Sequence, residues 1–340
     1  MKVTIVGAGA IGGLIGTRLA HAGRAEVSAL ARGATLDALR RNGWRLETAA
    51  GLVHGPLARA DDDAAALGAQ DLVVLAVKGP ALPALAPRLT PLLGRATVVL
   101  PAMNGVPWWF CRHLDGFADA PLQSVDPGGV IAAAVPFERV LGCVVHASAS
   151  VAAPGVVRHR IGQGLIVGEP LGGSSARASE VAALLAHAGF EVTPSADVRR
   201  DIWYKLWGNL TMNPVSALTG ATIDRVLADP LVRDFCSAAM GEAAAIGERI
   251  GCPIAQSAED RHAVTARLGA FKTSMLQDVE AGRAIELDAI VGVVREIGRR
   301  VGVDTPAIDA LLGLTRLFAQ QRGLYPAARA SEVAQGHADR

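Results

Sequence analysis

No stretch of about 18 consecutive apolar residues occurs in this chain of 340 residues, so no membrane-spanning helix is expected. Neither sign of charge is in excess. Lys and Arg number 33 against 32 Asp and Glu, a formal net charge of +1. That balance offers no basic face for nucleic acid and no pull on an acidic partner. Four cysteines, Cys111, Cys143, Cys236 and Cys252, show neither a CxxC pair nor regular spacing. They argue against a disulfide framework or a zinc site and are expected to be reduced, buried thiols of a cytoplasmic protein. None of the eight His stands in a ligand spacing such as HExxH, so no metal is expected. The start is not expected to be a signal peptide, because glycines interrupt its apolar run and no clean small-residue cleavage site follows. No internal repeat at solenoid periods is found. What remains is a chain with 51% hydrophobic and 19% charged residues, long enough for two domains each with its own core.

Lys2-Val-Thr-Ile-Val6 is short, apolar and rich in β-branched residues, and reads as a buried strand. Gly7-Ala8-Gly9-Ala10-Ile11-Gly12 follows at once, and residues 14–22 continue with helical spacing. Strand, G-x-G-x-x-G and helix in that order form a dinucleotide-binding fingerprint. The first Gly permits a tight turn, the second lets backbone approach a pyrophosphate, and the third lets helix pack on strand. A glycine-rich loop without a ligand is the competing reading, and the order of elements weighs against it. Residues 26–32 read as the second strand. Its end, Leu30-Ala31-Arg32-Gly33, carries no acid for a ribose 2′-hydroxyl, and Arg32 stands where a 2′-phosphate would need a cation. NADP(H) is therefore expected over NAD, against the plainer reading of a solvated Arg at a strand end.

Apolar runs at 71–77, 97–100 and 140–146, alternation at 155–161, and runs at 165–168 and 190–193 read as further strands. A helix is expected over 176–188. Apolar runs alternating with helical patterns imply parallel strands covered on both faces. Past Asp197 the pattern becomes helical throughout, with helices expected over 201–212, 230–250, 257–280, 286–301 and 306–321. The fold class expected is an α/β Rossmann-type dinucleotide-binding domain over 1–196, then an all-α domain over 197–330 and a frayed tail over 331–340. Ligands are expected at the carboxyl ends of the strands, on the side facing the second domain. Arg32, Lys78 and Asn104 each follow an apolar strand there.

Within Trp203-Tyr-Lys-Leu-Trp-Gly-Asn-Leu-Thr-Met-Asn-Pro214, residues Lys205, Asn209 and Asn213 are spaced i, i+4, i+8 and line one helix face. Asn is a poor helix-interior residue, so two on one stripe call for a reason. Ser274, Asp278, Glu286 and Asp288 supply a hydroxyl and acids farther on, and a carboxylate reaching Lys205 would fix its position. The plainer reading is a snorkelling Lys with surface or capping Asn.

These motifs together resemble the ketopantoate reductase (2-dehydropantoate 2-reductase) family over nearly the whole chain: GAGAIG, Arg32, Val77-Lys78, Asn104-Gly105, W-x-K-L-x-x-N-x-x-x-N-P, and Ser274-Met-Leu-Gln-Asp with Glu286. The resemblance implies an oxidoreductase of pantothenate biosynthesis that reduces a small 2-oxo acid to a 2-hydroxy acid with NADPH, cytoplasmic and a homodimer. It makes Lys205 and Glu286 catalytic. Lys205 would protonate the nascent alkoxide, and Glu286 would contact cofactor and catalytic centre. Asn209, Asn213 and Ser274 would bind substrate beside Lys205, with Lys272 and Thr273 near its carboxylate. Gly7 to Gly12, Arg32, Lys78, Asn104 and Ser148 would contact the cofactor. Hydride arriving at a carbonyl builds negative charge on oxygen, and a positioned ammonium both stabilises that charge and supplies the proton.

Two positions depart from the family pattern. Phe271 and Ile223 stand where several members carry Asn, which leaves open reduction of a different 2-oxo acid. Trp108 and Trp109, after Asn104, read equally as an apolar wall for substrate or as packing. Two other functions compete: an NADP-sensing regulator without turnover, and a dehydrogenase of opines or 3-hydroxy acids. The Lys205–Glu286 pair weighs against the first and the N-x-x-x-N-P stripe against the second.

Overall fold

A computed structural model describes residues 1–326; the tail expected over 331–340 lies outside the described residues. The chain forms two compact units that part between Lys205 and Leu206, within the helix Val198–Thr219.

In the first unit, β1 (Lys2–Val6), β2 (Glu26–Leu30), β5 (Ala60–Asp61), β6 (Gln70–Leu75) and β7 (Leu93–Pro101) form a parallel sheet in the order β5-β2-β1-β6-β7. Val3 pairs with Val27 on one side and Leu72 on the other. Val3, Ile5 and Val6 are fully buried, as a central strand covered on both faces requires. Strand order reverses beside β1, so the β1/β6 border is the switch point at which such sheets bind ligands.

A second sheet was only partly foreseen. It contains β3 (Trp44–Thr48), β4 (Gly51–Gly55), β8 (Gly142–Ala153), β9 (Val156–Gly168) and β10 (Glu191–Ser195). It is mixed rather than parallel: β8 pairs antiparallel with β9 along its length, β3 with β4, while β9 runs parallel to β3 and β10. The strands expected at 155–161 and 165–168 are one strand, since the Gly162 region stays paired to β8 around a register shift at Ser148. The helix Ala10–Ala22 packs on this sheet through its own glycines. A β-carbon at Gly13 would collide with Val157, and one at Gly16 would lie 2.6 Å from the Trp44 ring.

Among the described residues the second unit is helical. The expected helix over 257–280 is two, Ala258–Ala266 and Ser274–Glu280, separated by a loop whose Gly269 holds φ +59. The first helix ends at Ala266, and Thr273 caps the second by accepting from Leu276 N. The segment expected as one helix from 286 begins with a π turn, Asp288–Gly292, before Val293–Val301. All four cysteines are buried and unpaired with one another. No helix among the described residues is long and apolar enough to cross a membrane.

Candidate active site

The glycine turn lies at the switch point for steric reasons. A β-carbon at Gly12 would collide with the Gly7 carbonyl and come within 3.0 Å of Ala76 Cβ. Gly7 holds φ +89, and a β-carbon there would lie 2.6 Å from Val77 Cγ1. Both glycines are required by the chain itself, and they seat the turn against the exit of β6, which carries Lys78. Gly9 differs. It is the N-cap of Ala10–Ala22, and a β-carbon there would meet nothing within 4 Å. This helix start has no side-chain cap and no acid in its first turn, so its N–H groups and positive dipole end are offered outward. These features fit a dinucleotide pyrophosphate. Because the fold does not need Gly9, Gly9→Ala is expected to leave the melting temperature unchanged. NADPH affinity should fall roughly tenfold or more, as backbone approach is blocked. Calorimetric titration beside a melting curve checks this, and unchanged affinity would move the phosphate site elsewhere.

Arg32 follows β2 as the N-cap of Gly33–Asn42, with an extended backbone. Its side chain is exposed and makes no hydrogen bond or ion pair among the described residues. The acid nearest in topology, Asp61 on β5, is paired with Arg40 at 3.2 Å. Lys78 is half-buried just past β6, at the N-cap of a short 3-10 turn. Ser148 lies on β8, three residues beyond Val145.

Lys205 Nζ donates to Asn104 Oδ1 at 2.9 Å and to the Val145 carbonyl at 2.8 Å. The fold creates this junction. Gly142 and Gly168 stand opposite each other in the β8–β9 ladder. A β-carbon on Gly142 would collide with Val198, and one on Gly168 would lie 3.1 Å from Val198 Cβ. Two facing glycines therefore let the first turn of Val198–Thr219 sit directly on the hairpin. Two turns later the same helix delivers Lys205 to Val145. The segment after Asn104 locks on from its side. Phe110 stacks on Trp203 at 5.9 Å between centroids, and Arg199 lies 5.0 Å over Phe110 while donating to its carbonyl. Trp108 and Trp109 are buried, and Trp109 reaches Gly142 and the Phe110 ring, which makes it a packing residue.

The ammonium is felt by its neighbour Cys143. Burial pushes that thiol up to about 12, and the Lys205 charge opposes the rise. The Val145 carbonyl was not foreseen as a partner of Lys205, since any residue type presents the same backbone oxygen.

Farther along the helix, Asn209 is half-buried and Asn213 is 5% exposed, with its Nδ2 lacking a hydrogen-bond partner. A buried donor left unpaired costs on the order of 1–3 kcal/mol, so an acceptor is missing there. Pro214 cannot donate to the Leu210 carbonyl, which weakens the ladder at the same point. In the helical unit, Ser274 is exposed at the first position of its short helix. Lys272 is engaged in an ion pair with Glu280 at 2.6 Å, and the Thr273 hydroxyl serves as the cap. Glu286 is half-buried two residues before the π turn, a rare element found often at functional sites. Ile223 and Phe271 belong to one apolar cluster with Met212, Val215 and Leu311, and Ile223 N donates to the Phe271 carbonyl at 3.1 Å.

Comparison with known proteins gives a consistent picture. The family described as "Ketopantoate reductase PanE/ApbA" matches residues 3–172, and its C-terminal counterpart matches residues 197–319. A curated 2-dehydropantoate 2-reductase of Mesorhizobium japonicum is 44% identical over 96% of this chain and 100% of its own length. A crystal structure from Ralstonia solanacearum MolK2 assigned to ketopantoate reductase is 56% identical with TM-score 0.90, covering 95% of this chain and 99% of its own. The crystal structure of 2-dehydropantoate 2-reductase from Methylococcus capsulatus is 26% identical with TM-score 0.81, over 95% and 98% of the two chains.

Proposed function

The chain belongs to the ketopantoate reductase family, and from that premise we propose that it reduces 2-dehydropantoate (ketopantoate) to pantoate with NADPH, through Lys205. The observation that carries the reading is the Lys205 ammonium, tied at once to Asn104 and to the Val145 carbonyl. NADPH, when bound, supplies the hydride. Gly7 to Gly12 and the helix start at Ala10 would hold its pyrophosphate, Arg32 its 2′-phosphate, and Lys78, Asn104 and Ser148 its other contacts.

The remaining work falls to side chains. Lys205 stabilises charge building on the substrate oxygen and gives it a proton. A flexible ammonium tethered by two acceptors stays in one place, and that preorganisation is what makes its charge count. Asn213 Nδ2 supports the substrate assignment, because a ligand acceptor would satisfy a donor the protein leaves unpaired. Asn209 shares its stripe, and Ser274 and Glu286 complete the set that the family resemblance implies. Residues 1–196 are proposed as the cofactor domain and 197–330 as the substrate domain. The enzyme is further proposed to act in the cytoplasm as a homodimer, which light scattering of the purified chain checks.

Phe271 and Ile223 shape substrate choice in this reading, since both present carbon where an amide would offer hydrogen bonds. NADPH oxidation against a panel of 2-oxo acids tests it. Ketopantoate should give the highest kcat/KM. A higher value for a 2-oxo acid with a plain alkyl chain would keep the chemistry and change the substrate.

A further inference from the structure

A glycine turns the chain back at the end of the helix Pro306–Gln321. Gly323 holds φ +66, in the left-handed region that glycine enters without cost. Its N–H donates to the Gln320 carbonyl at 3.1 Å, and the next N–H, that of Leu324, donates to the Ala319 carbonyl at 2.9 Å. That pair of bonds is a Schellman motif. It turns Leu324 inward, where it is 4% exposed. Gln320 Nε2 then fastens the outgoing chain by donating to the Pro326 carbonyl at 3.0 Å.

The returning segment meets the stretch that carries Glu286, and both lie within the helical unit. Ile285 N donates to the Leu324 carbonyl at 3.1 Å, and Tyr325 Oη donates to Asp288 Oδ1 at 2.7 Å. Ile285 and Leu287, on either side of Glu286, are buried. Asp288 is also the first residue of the π turn, and its carbonyl accepts from Val293 N, five residues on. Glu286 is therefore bracketed. A main-chain tie lies one residue before it and a side-chain tie two residues after it, and consecutive residues of the strap, Leu324 and Tyr325, make them. A hydroxyl bonded to a carboxylate is of the charge-assisted kind, stronger than a neutral pair. Here it holds the residue at which the chain enters the rare π register.

We propose that Tyr325 is a positioning residue for the reduction: through Asp288 it fixes where Glu286 stands. The proposal rests on the reading above, in which Glu286 serves catalysis. Misplacing a catalytic group by about 1 Å costs on the order of 10²-fold in rate. Loss of the phenol hydroxyl leaves the Leu324 main-chain bond and the buried Leu324 side chain in place. The unit then keeps its fold while Glu286 loses one of its two ties.

Tyr325→Phe removes only the hydroxyl. It should lower kcat roughly tenfold or more while NADPH affinity stays within about twofold of wild type. The discriminating measurement is a double-mutant cycle with Glu286→Gln. If Tyr325 acts through Glu286, adding Tyr325→Phe to Glu286→Gln should lower the residual kcat by less than about twofold. The same fold-loss in both backgrounds would overturn the proposal and leave Tyr325 a packing residue, as would a wild-type kcat for Tyr325→Phe alone. Asp288→Asn keeps an acceptor for the hydroxyl and should retain more activity than Asp288→Ala, and equal losses would count against the tie. Asp288→Ala carries the same cycle if Tyr325→Phe does not fold. A Glu286→Gln enzyme with undiminished kcat would instead remove the catalytic reading of Glu286, and this inference with it.

Discussion

Lys205→Ala is expected to lower kcat by roughly 10²–10⁴, the usual contribution of a general acid, with NADPH affinity changed only a few-fold. Two roles are lost together: the proton donor and the fixed positive charge beside the developing alkoxide. The geometry makes the effect larger than removal of a loose surface lysine would be. Nζ is held in one place by Asn104 Oδ1 and the Val145 carbonyl, and a water taking that place would carry no positive charge. Lys205→Arg should fail almost as badly. Its guanidinium keeps the charge but does not give up a proton in the working pH range. Removing the ammonium also leaves the Val145 carbonyl without that donor, so a modest fall in melting temperature should accompany the variant. Steady-state kinetics and a melting curve separate the two effects. A kcat that survives Lys205→Ala would show that the proton comes from another group.

Arg32→Ala is expected to weaken NADPH binding by about 10–150-fold while leaving NADH almost untouched. That range is one charge-assisted phosphate contact of roughly 1.5–3 kcal/mol. Three features support the size. The guanidinium is exposed at the end of β2 and has no partner among the described residues, so binding breaks no existing bond. No acid stands at that strand end to favour a ribose hydroxyl. The helix Gly33–Asn42 begins beside Arg32 without an acid in its first turn, which adds a favourable dipole end. Titration of wild type and variant with both cofactors is the check, and equal wild-type affinities would withdraw the assignment.

Much of this was legible in the sequence because residue type and spacing carried it. Glycine at 7, 9 and 12 is dictated by turn and close approach, and the structure separates the two required sterically from the one that faces open space. The Lys205–Asn209–Asn213 stripe was visible because three polar residues at helical period are improbable in an apolar helix. Other features left no such trace. The β3–β4 hairpin alternates Trp44 and Leu46 inward, both buried, but β4 is mostly exposed and presents no apolar run. Val145 acts through its backbone oxygen, which every residue type shares. The π turn at Asp288–Gly292 inserts one residue per turn without altering the apolar composition.

The most direct measurement mixes the purified chain with NADPH and ketopantoate and follows cofactor oxidation together with the product by mass. Pantoate should form with one NADPH consumed per molecule, at a rate that Lys205→Ala lowers by at least about 10²-fold. Tight NADPH binding without consumption, for ketopantoate and every other 2-oxo acid offered, would contradict the assignment of this chain as a reductase and leave a protein that binds the nucleotide and does no chemistry with it.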